Sequence, residues 1–284
     1  MICTAKATGA QPFFLPMQHG ARFCIFHAAH PGVAERGAVL YVHPFAEELN
    51  KSRRMAAVQA RALAAAGYAV LQPDLYGCGD SSGDFADARW PIWLDDLAES
   101  QRWLLQRSSG PFYLWGLRLG ALLALDFAGS AAHSAKPDGL LLWQTVTSGG
   151  SHLQQFTRLQ ATARLFSETQ AQPSDMDGEE IAGYRIATAL AQAIRRADAL
   201  SMVPSCPVQW LELAMATPGN ACALAPATAL VLKRWRAAGV SVDASALRDT
   251  PFWNSSEITE APGLLAASLA ALQALPAMAR SAVA

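Results

Sequence analysis

Charge is scarce in this sequence. Only 16% of the 284 residues are Asp, Glu, Lys or Arg, and 22 basic residues nearly cancel 23 acidic ones, leaving a formal net charge of −1. Such a balance carries no electrostatic footprint for nucleic acid or for an acidic membrane surface. Cysteine is sparse too. Cys3, Cys24, Cys78, Cys206 and Cys222 are scattered, odd in number and without a CxxC spacing. That pattern argues against a disulfide framework or a zinc site, and for the reduced thiols of a cytoplasmic protein. No motif asks for a metal or a cofactor. The opening MICTAKATGAQPFFLPM has no charged segment followed by an apolar one, so no secretory signal is expected. A long apolar run is missing as well. GLLAASLAALQALPAMA is uncharged but Ala-rich, short of a full span and broken by Pro276, and it reads as a buried terminal helix rather than a membrane span. There is no internal repeat and no low-complexity linker.

What the chain does have is hydrophobic residues, at 52%, enough for one large buried core. GAVLYVHPF (37–45), YAVLQPDL (68–75), PFYLWG and DGLLLWQTV are short, continuous apolar runs that read as buried strands. Between them lie helical patterns: KSRRMAAVQARALAAAG, with Asn50 as its cap and Gly67 as its stop, WPIWLDDLAESQRWLLQR, and ALLALDFAG. Uniformly apolar strands alternating with helices imply a mostly parallel sheet with helices on both faces. The texture changes after Gly149. Residues 150–200 are polar and helical, with an acidic run PSDMDGEE, before CPVQWLEL, PATALVLKRWRAAG and VSVDASAL resume the pattern. The expected organisation is a core of residues 1–149 and 201–284 with a helical cap inserted at 150–200.

The stretch WGLRLG (115–120) sits between an apolar strand and an apolar helix. Gly116 would relieve crowding at a tight turn, and Gly120 would let the helix pack closely on a neighbouring strand. With the HPF loop and the DLYGCGDSSG turn, this order resembles the α/β-hydrolase fold, in which G-x-S-x-G raises a serine above the sheet. HPFAEELNKSRRM, DLYGCGDSSGDF, WGLRLGALLAL, LLWQTVTSG and PFWNSSEITEAP together resemble the exosortase A system-associated hydrolase 2 family. That resemblance implies the fold and a setting among bacterial exopolysaccharide and protein-sorting systems, with an export or sorting protein as a partner.

The presenting position, however, holds Arg118. The fold places nucleophile, acid and histidine in that chain order, with the histidine after the last strand. The six histidines are His19, His27, His30, His43, His133 and His152, and the stretch where a triad histidine would fall reads RDTPFWNSSE. LELAMATPG offers only Glu212 as an acid, inside a strand pattern. Without a base a serine hydroxyl is a poor nucleophile, and triad members act as a unit. Ser81 and Ser82 read as turn residues, Cys78 has no evident base to make it a thiolate, and the adjacent Ser151 and His152 make an awkward pair.

The turn keeps a use without its serine. The N–H of Leu119, donors near Phe45 and Ala46, the guanidinium of Arg118 and the ring of His43 would line one pocket, with Glu47 close by. Two arrangements follow. Arg118 either faces an open site for a small carboxylate, phosphate or acyl-type ligand, or folds onto Glu47, Glu48 or Asp74 as a buried pair. The function this implies is a non-catalytic binding or regulatory protein on a hydrolase fold. An unconventional enzyme with acid/base residues from the FAEE loop and the cap, and a scaffold of an export assembly, are the alternatives.

Overall fold

In a computed structural model, residues 9–130, 135–165, 178–181, 183–214, 222–255 and 257–275 are described. Cys3, His133, Pro276 and residues 173–177 of the acidic run lie outside them.

Eight strands form one sheet in the order β1-β2-β4-β3-β5-β6-β9-β10. The members are β1 (Ala10–Met17), β2 (Gly20–His27), β3 (Gly37–Val42), β4 (Tyr68–Pro73), β5 (Phe112–Leu117), β6 (Gly139–Trp143), β9 (Val208–Ala214) and β10 (Val242–Arg248). β1 pairs with β2, and β2 with β4, antiparallel; every other pairing in this sheet is parallel. The antiparallel pair at the edge was not anticipated from the sequence. β1 alternates between exposed and half-buried residues and β2 between half-buried and buried ones, a weaker signal than a continuous apolar run.

Alternation along the central strands feeds two cores. Leu40, Val42, Phe112 and Leu114 point to one face, beneath α2 (Trp90–Leu105), α3 (Leu119–Gly129) and α6 (Pro226–Ala237). Val39, Tyr41, Trp115 and Trp143 point to the other, beneath α1 (Glu47–Ala65) and α7 (Pro262–Ala274). α7 is the terminal apolar helix, fixed by a 2.7 Å bond from Trp143 Nε1 to Ser268 Oγ. No helix among the described residues is long and apolar enough to cross a membrane.

α1 begins at Glu47, earlier than the sequence suggests. Ala46, with φ 51°, turns the chain directly from the end of β3 into the helix, so Asn50 lies inside it rather than capping it. Glu47 and Glu48 therefore occupy the first turn, where the helix dipole favours acids. Between β6 and β9 the chain forms α4 (Gly149–Leu165), a small hairpin of β7 (Glu179–Ile181) and β8 (Tyr184–Ile186), and α5 (Thr188–Arg196). This segment adds no strand to the large sheet among the described residues. It is not purely helical, because the end of the acidic run extends into β7 and pairs with β8.

Candidate functional site

The site gathers where β3, β5 and β6 end. β5 stops at Leu117, Arg118 turns with φ 56° and ψ −122°, and α3 starts at Leu119. A side chain in this positive-φ region is strained, and such strain persists only where the surroundings enforce it. Here Arg118 N–H donates to Trp143 O at 3.0 Å, and Arg118 O accepts from Ala121 N at 3.1 Å. The flanking glycines have the roles expected of them. A Cβ at Gly116 would stand 2.5 Å from Ala121 Cα, and one at Gly120 would stand 2.3 Å from His43 O. The turn is thus pressed onto the end of β3, where Ala46 repeats nearly the same backbone angles, φ 51° and ψ −128°.

Of the two arrangements open to Arg118, the structure holds the paired one, and the partner is Glu48. Nε and Nη2 both lie 3.0 Å from Oε1 of Glu48. The side chains are 16% and 9% exposed, so the pair is largely withdrawn from water. Trp253, from the loop after β10, lies 5.4 Å from the guanidinium carbon, a cation–π contact. It comes from the stretch where the fold would carry a triad histidine. Asp74 is paired elsewhere, with both guanidinium arms of Arg53 at 2.9 and 3.2 Å. Glu47 accepts from Tyr184 Oη at 3.3 Å.

Two buried polar atoms at this pair have no hydrogen-bond partner among the described residues: Glu48 Oε2 and His152 Nε2. His152, from α4, brings Nε2 to 3.8 Å from Glu48 Oε2, beyond hydrogen-bond reach. Burial and the charge of Arg118 push its pKa from 6.5 down to about 3, so the ring is neutral and the contact is not an ion pair. Phe45 and Phe156 meet the imidazole edge-on. Burial raises the Glu48 carboxyl, and Arg118 opposes that shift.

His43, Phe45, Ala46 and Leu119 line a cavity of about 10 Å³ with Phe85 and Trp93, room for a single water. Arg118 is not among its lining residues. Ala46 and Leu119 therefore line the cavity, while the cation of Arg118 faces Glu48. Among the described residues, neither Ala46 N–H nor Leu119 N–H donates a backbone hydrogen bond. His43 is fully engaged: Nδ1 bonds Pro44 O at 2.8 Å and Nε2 accepts from Leu75 N at 3.1 Å. Those partners fix a neutral tautomer with the proton on Nδ1, and burial lowers its pKa further.

The remaining candidates are structural. Ser81 Oγ donates to Asp74 O and Ser82 Oγ accepts from Ala21 N, closing the glycine-rich turn on β2. Cys78 is buried, which pushes its thiol far above the usual range. Ser151 is exposed while His152 turns inward. Glu212 takes bonds from Trp210 Nε1, Ala225 N and Thr228 Oγ1. No cluster of three potential metal ligands occurs among the described residues. The approach of His152 to Glu48 and that of Trp253 to Arg118 were not expected. Trp253 comes from the stretch of a missing triad member, while His152, within α4, carries no local signal.

A family model described as serine aminopeptidase, S33, matches residues 34–212. The chain is similar to a solved Xanthomonas campestris structure described as a member of the α/β serine hydrolases without lid. They share 15% identity over 96% of this chain and 98% of that one, with a TM-score of 0.56. It is also similar to Est1E from Butyrivibrio proteoclasticus, at 12% identity over 92% and 96% of the chains and a TM-score of 0.61. A structure of Est1E holds ferulic acid. No curated protein matches the chain.

Proposed function

Because the chain belongs to the serine aminopeptidase (S33) family of α/β-hydrolase-fold proteins, yet carries Arg118 at the strand-to-helix turn, we propose that it is a non-catalytic binding or regulatory member. The Arg118–Glu48 pair carries this reading. In this turn the side chain presented above the sheet is the nucleophile. A guanidinium is always protonated and cannot attack a carbonyl. His43 has both ring nitrogens committed, and His152 faces a carboxylate rather than a hydroxyl. Among the described residues, nothing at the turn supplies a nucleophile together with a free base.

The ligand in this reading is a small acyl- or carboxylate-type molecule, and the cavity lined by Ala46 and Leu119, which has room for one water in this structure, widens to admit it. Residues 150–200 act as a cap over it, since α4 brings His152 and Phe156 against Phe45. The resemblance to exosortase-associated proteins supports a cytoplasmic role beside an exopolysaccharide or protein-sorting system. A serine-directed fluorophosphonate probe and a panel of aryl esters test the proposal. No labelling and no turnover are expected, and stoichiometric labelling of a serine overturns it. A second reading rests on the facing Glu48 Oε2 and His152 Nε2 as an acid/base pair for unconventional acyl transfer. Turnover that disappears in His152→Leu would establish that reading instead.

A further inference from the structure

The two edges of the large sheet are built differently. β1, at one edge, carries Pro12 and Pro16, and neither residue has an N–H to offer a further strand. Proline is tolerated in a sheet where the missing donor faces outward, and there it blunts the edge against pairing with another chain. β10, at the other edge, reads VDASALR, without proline or lysine. Among the described residues no strand lies on its outer side. One edge is guarded and the other is open.

The parallel ladder fixes which backbone groups of β10 point outward. Val208 pairs with Val242, and Val208 N donates to Ser241 O at 2.9 Å. Alternate residues of a strand turn their N–H and C=O to the same neighbour. Ser241, Asp243, Ser245 and Leu247 therefore face β9, while Val242, Ala244 and Ala246 face away from it. Val242 O accordingly accepts from Arg236 Nη2 of α6, at 3.1 Å. Ala244 and Ala246 are left with outward N–H and C=O groups, and their methyl side chains put little bulk beside them.

We propose that β10 pairs antiparallel with β10 of a second copy of this chain, about a two-fold axis through Ser245, joining two sheets into one. Ser245 is the middle residue of the strand, so this register overlaps its whole length. It sets Ala244 opposite the partner's Ala246, where each donates to and accepts from the other. Val242 O is already held by Arg236, so the ladder is confined to these alanines. Ser245 meets its own copy across the axis without needing a hydrogen bond there, since its backbone groups face β9. Apolar surface beside the edge favours a second copy over a lone peptide strand. Leu247 of β10 and Leu265 and Leu269 of α7 pack on the core yet are only half-buried. The axis stands perpendicular to the sheet, so the partner's α7 lies on the same face as these leucines. A peptide would satisfy the backbone and bring no helix to that face.

Analytical ultracentrifugation of the whole chain at micromolar concentration tests this, with twice the 30.2 kDa of one chain expected. Ala246→Pro gives β10 the device already present on β1, and should halve the mass while leaving the circular-dichroism spectrum unchanged. Ser245→Cys should form a disulfide-linked dimer on mild oxidation, because facing Cβ atoms in such a pair lie about 4.5–5.5 Å apart. Asp243→Cys, set opposite the partner's Leu247, should stay at the level of the native protein. The cross-link asks nothing of the proline variant and decides the question if that variant fails to fold. A native chain that sediments as a monomer overturns the proposal. So does a dimer that survives in folded Ala246→Pro, or one that gives no cross-link through Ser245→Cys, because its interface lies elsewhere. A monomer that pairs β10 with an extended peptide instead overturns it as well.

Discussion

Arg118 and Glu48, 70 residues apart in the chain, form a largely buried pair in which two guanidinium nitrogens share one carboxylate oxygen. The pair ties the turn after β5 to the first turn of α1, at the place where a hydrolase of this fold keeps its nucleophile. Its geometry makes the site a joint in the structure as well as a candidate binding surface.

Removing one member of the pair should cost far more than removing both. Arg118→Leu strands a buried carboxylate and should destabilise by about 3–5 kcal/mol in chemical denaturation. The double variant Arg118→Leu/Glu48→Leu replaces the pair with apolar volume and should recover most of that loss. Equal destabilisation in the two proteins would show that the pair is not the source.

Arg118→Ser should remain without esterase activity. The new hydroxyl would have no base, since His43 is bound through both nitrogens and His152 lies toward Glu48. Release of p-nitrophenol from acetate and butyrate esters, compared with buffer alone, is the measurement. Hydrolysis above background would mean that a working base was already in place.

Acidification should weaken the fold through His152. Its pKa is depressed to about 3 in the folded state, against 6.5 for an ordinary histidine. Its contribution is therefore fully present above about pH 6.5 and lost as pH falls toward about 3. Glu48 acts with the opposite sign, because its folded pKa is raised: its stabilisation is present at acid pH and fades as pH rises. Denaturation curves of His152→Leu, which retains Glu48, should lose less stability over that window than the native protein. Parallel curves would show that the buried imidazole does not resist protonation.

Ala46→Gly should stabilise the protein by about 1 kcal/mol. Ala46 caps α1 at φ 51°, where glycine has no Cβ penalty, and glycine is also the better N-cap. A lowered melting temperature would mean that the alanine methyl packs usefully enough to outweigh the strain.

Much of this architecture is legible in the residues alone. Short apolar strands between helices imply a parallel sheet because only a strand covered on both faces can afford to be apolar throughout. Gly116 and Gly120 mark the tight turn because a Cβ at either position would strike backbone. Arg118 excludes serine chemistry at the turn whatever surrounds it. The β1–β2 edge escaped notice because its residues alternate in burial and carry no continuous apolar signal.

Tertiary structure alone decided which carboxylate meets Arg118. Glu47, Glu48 and Asp74 are all near enough to qualify by sequence, and what separates them is the rotational phase of α1. Because Ala46 starts that helix one residue before Glu47, Glu48 faces the turn while Glu47 points to Tyr184 on β8. Arg53, further along the same helix, takes Asp74. His152 reaches Glu48 from α4 and Trp253 reaches Arg118 from beyond β10, separations that no local pattern encodes. The sequence determines that this turn holds a cation that cannot act as a nucleophile. The packing of four distant segments determines that the cation is neutralised, because a buried guanidinium is stable only where the fold delivers a carboxylate to it.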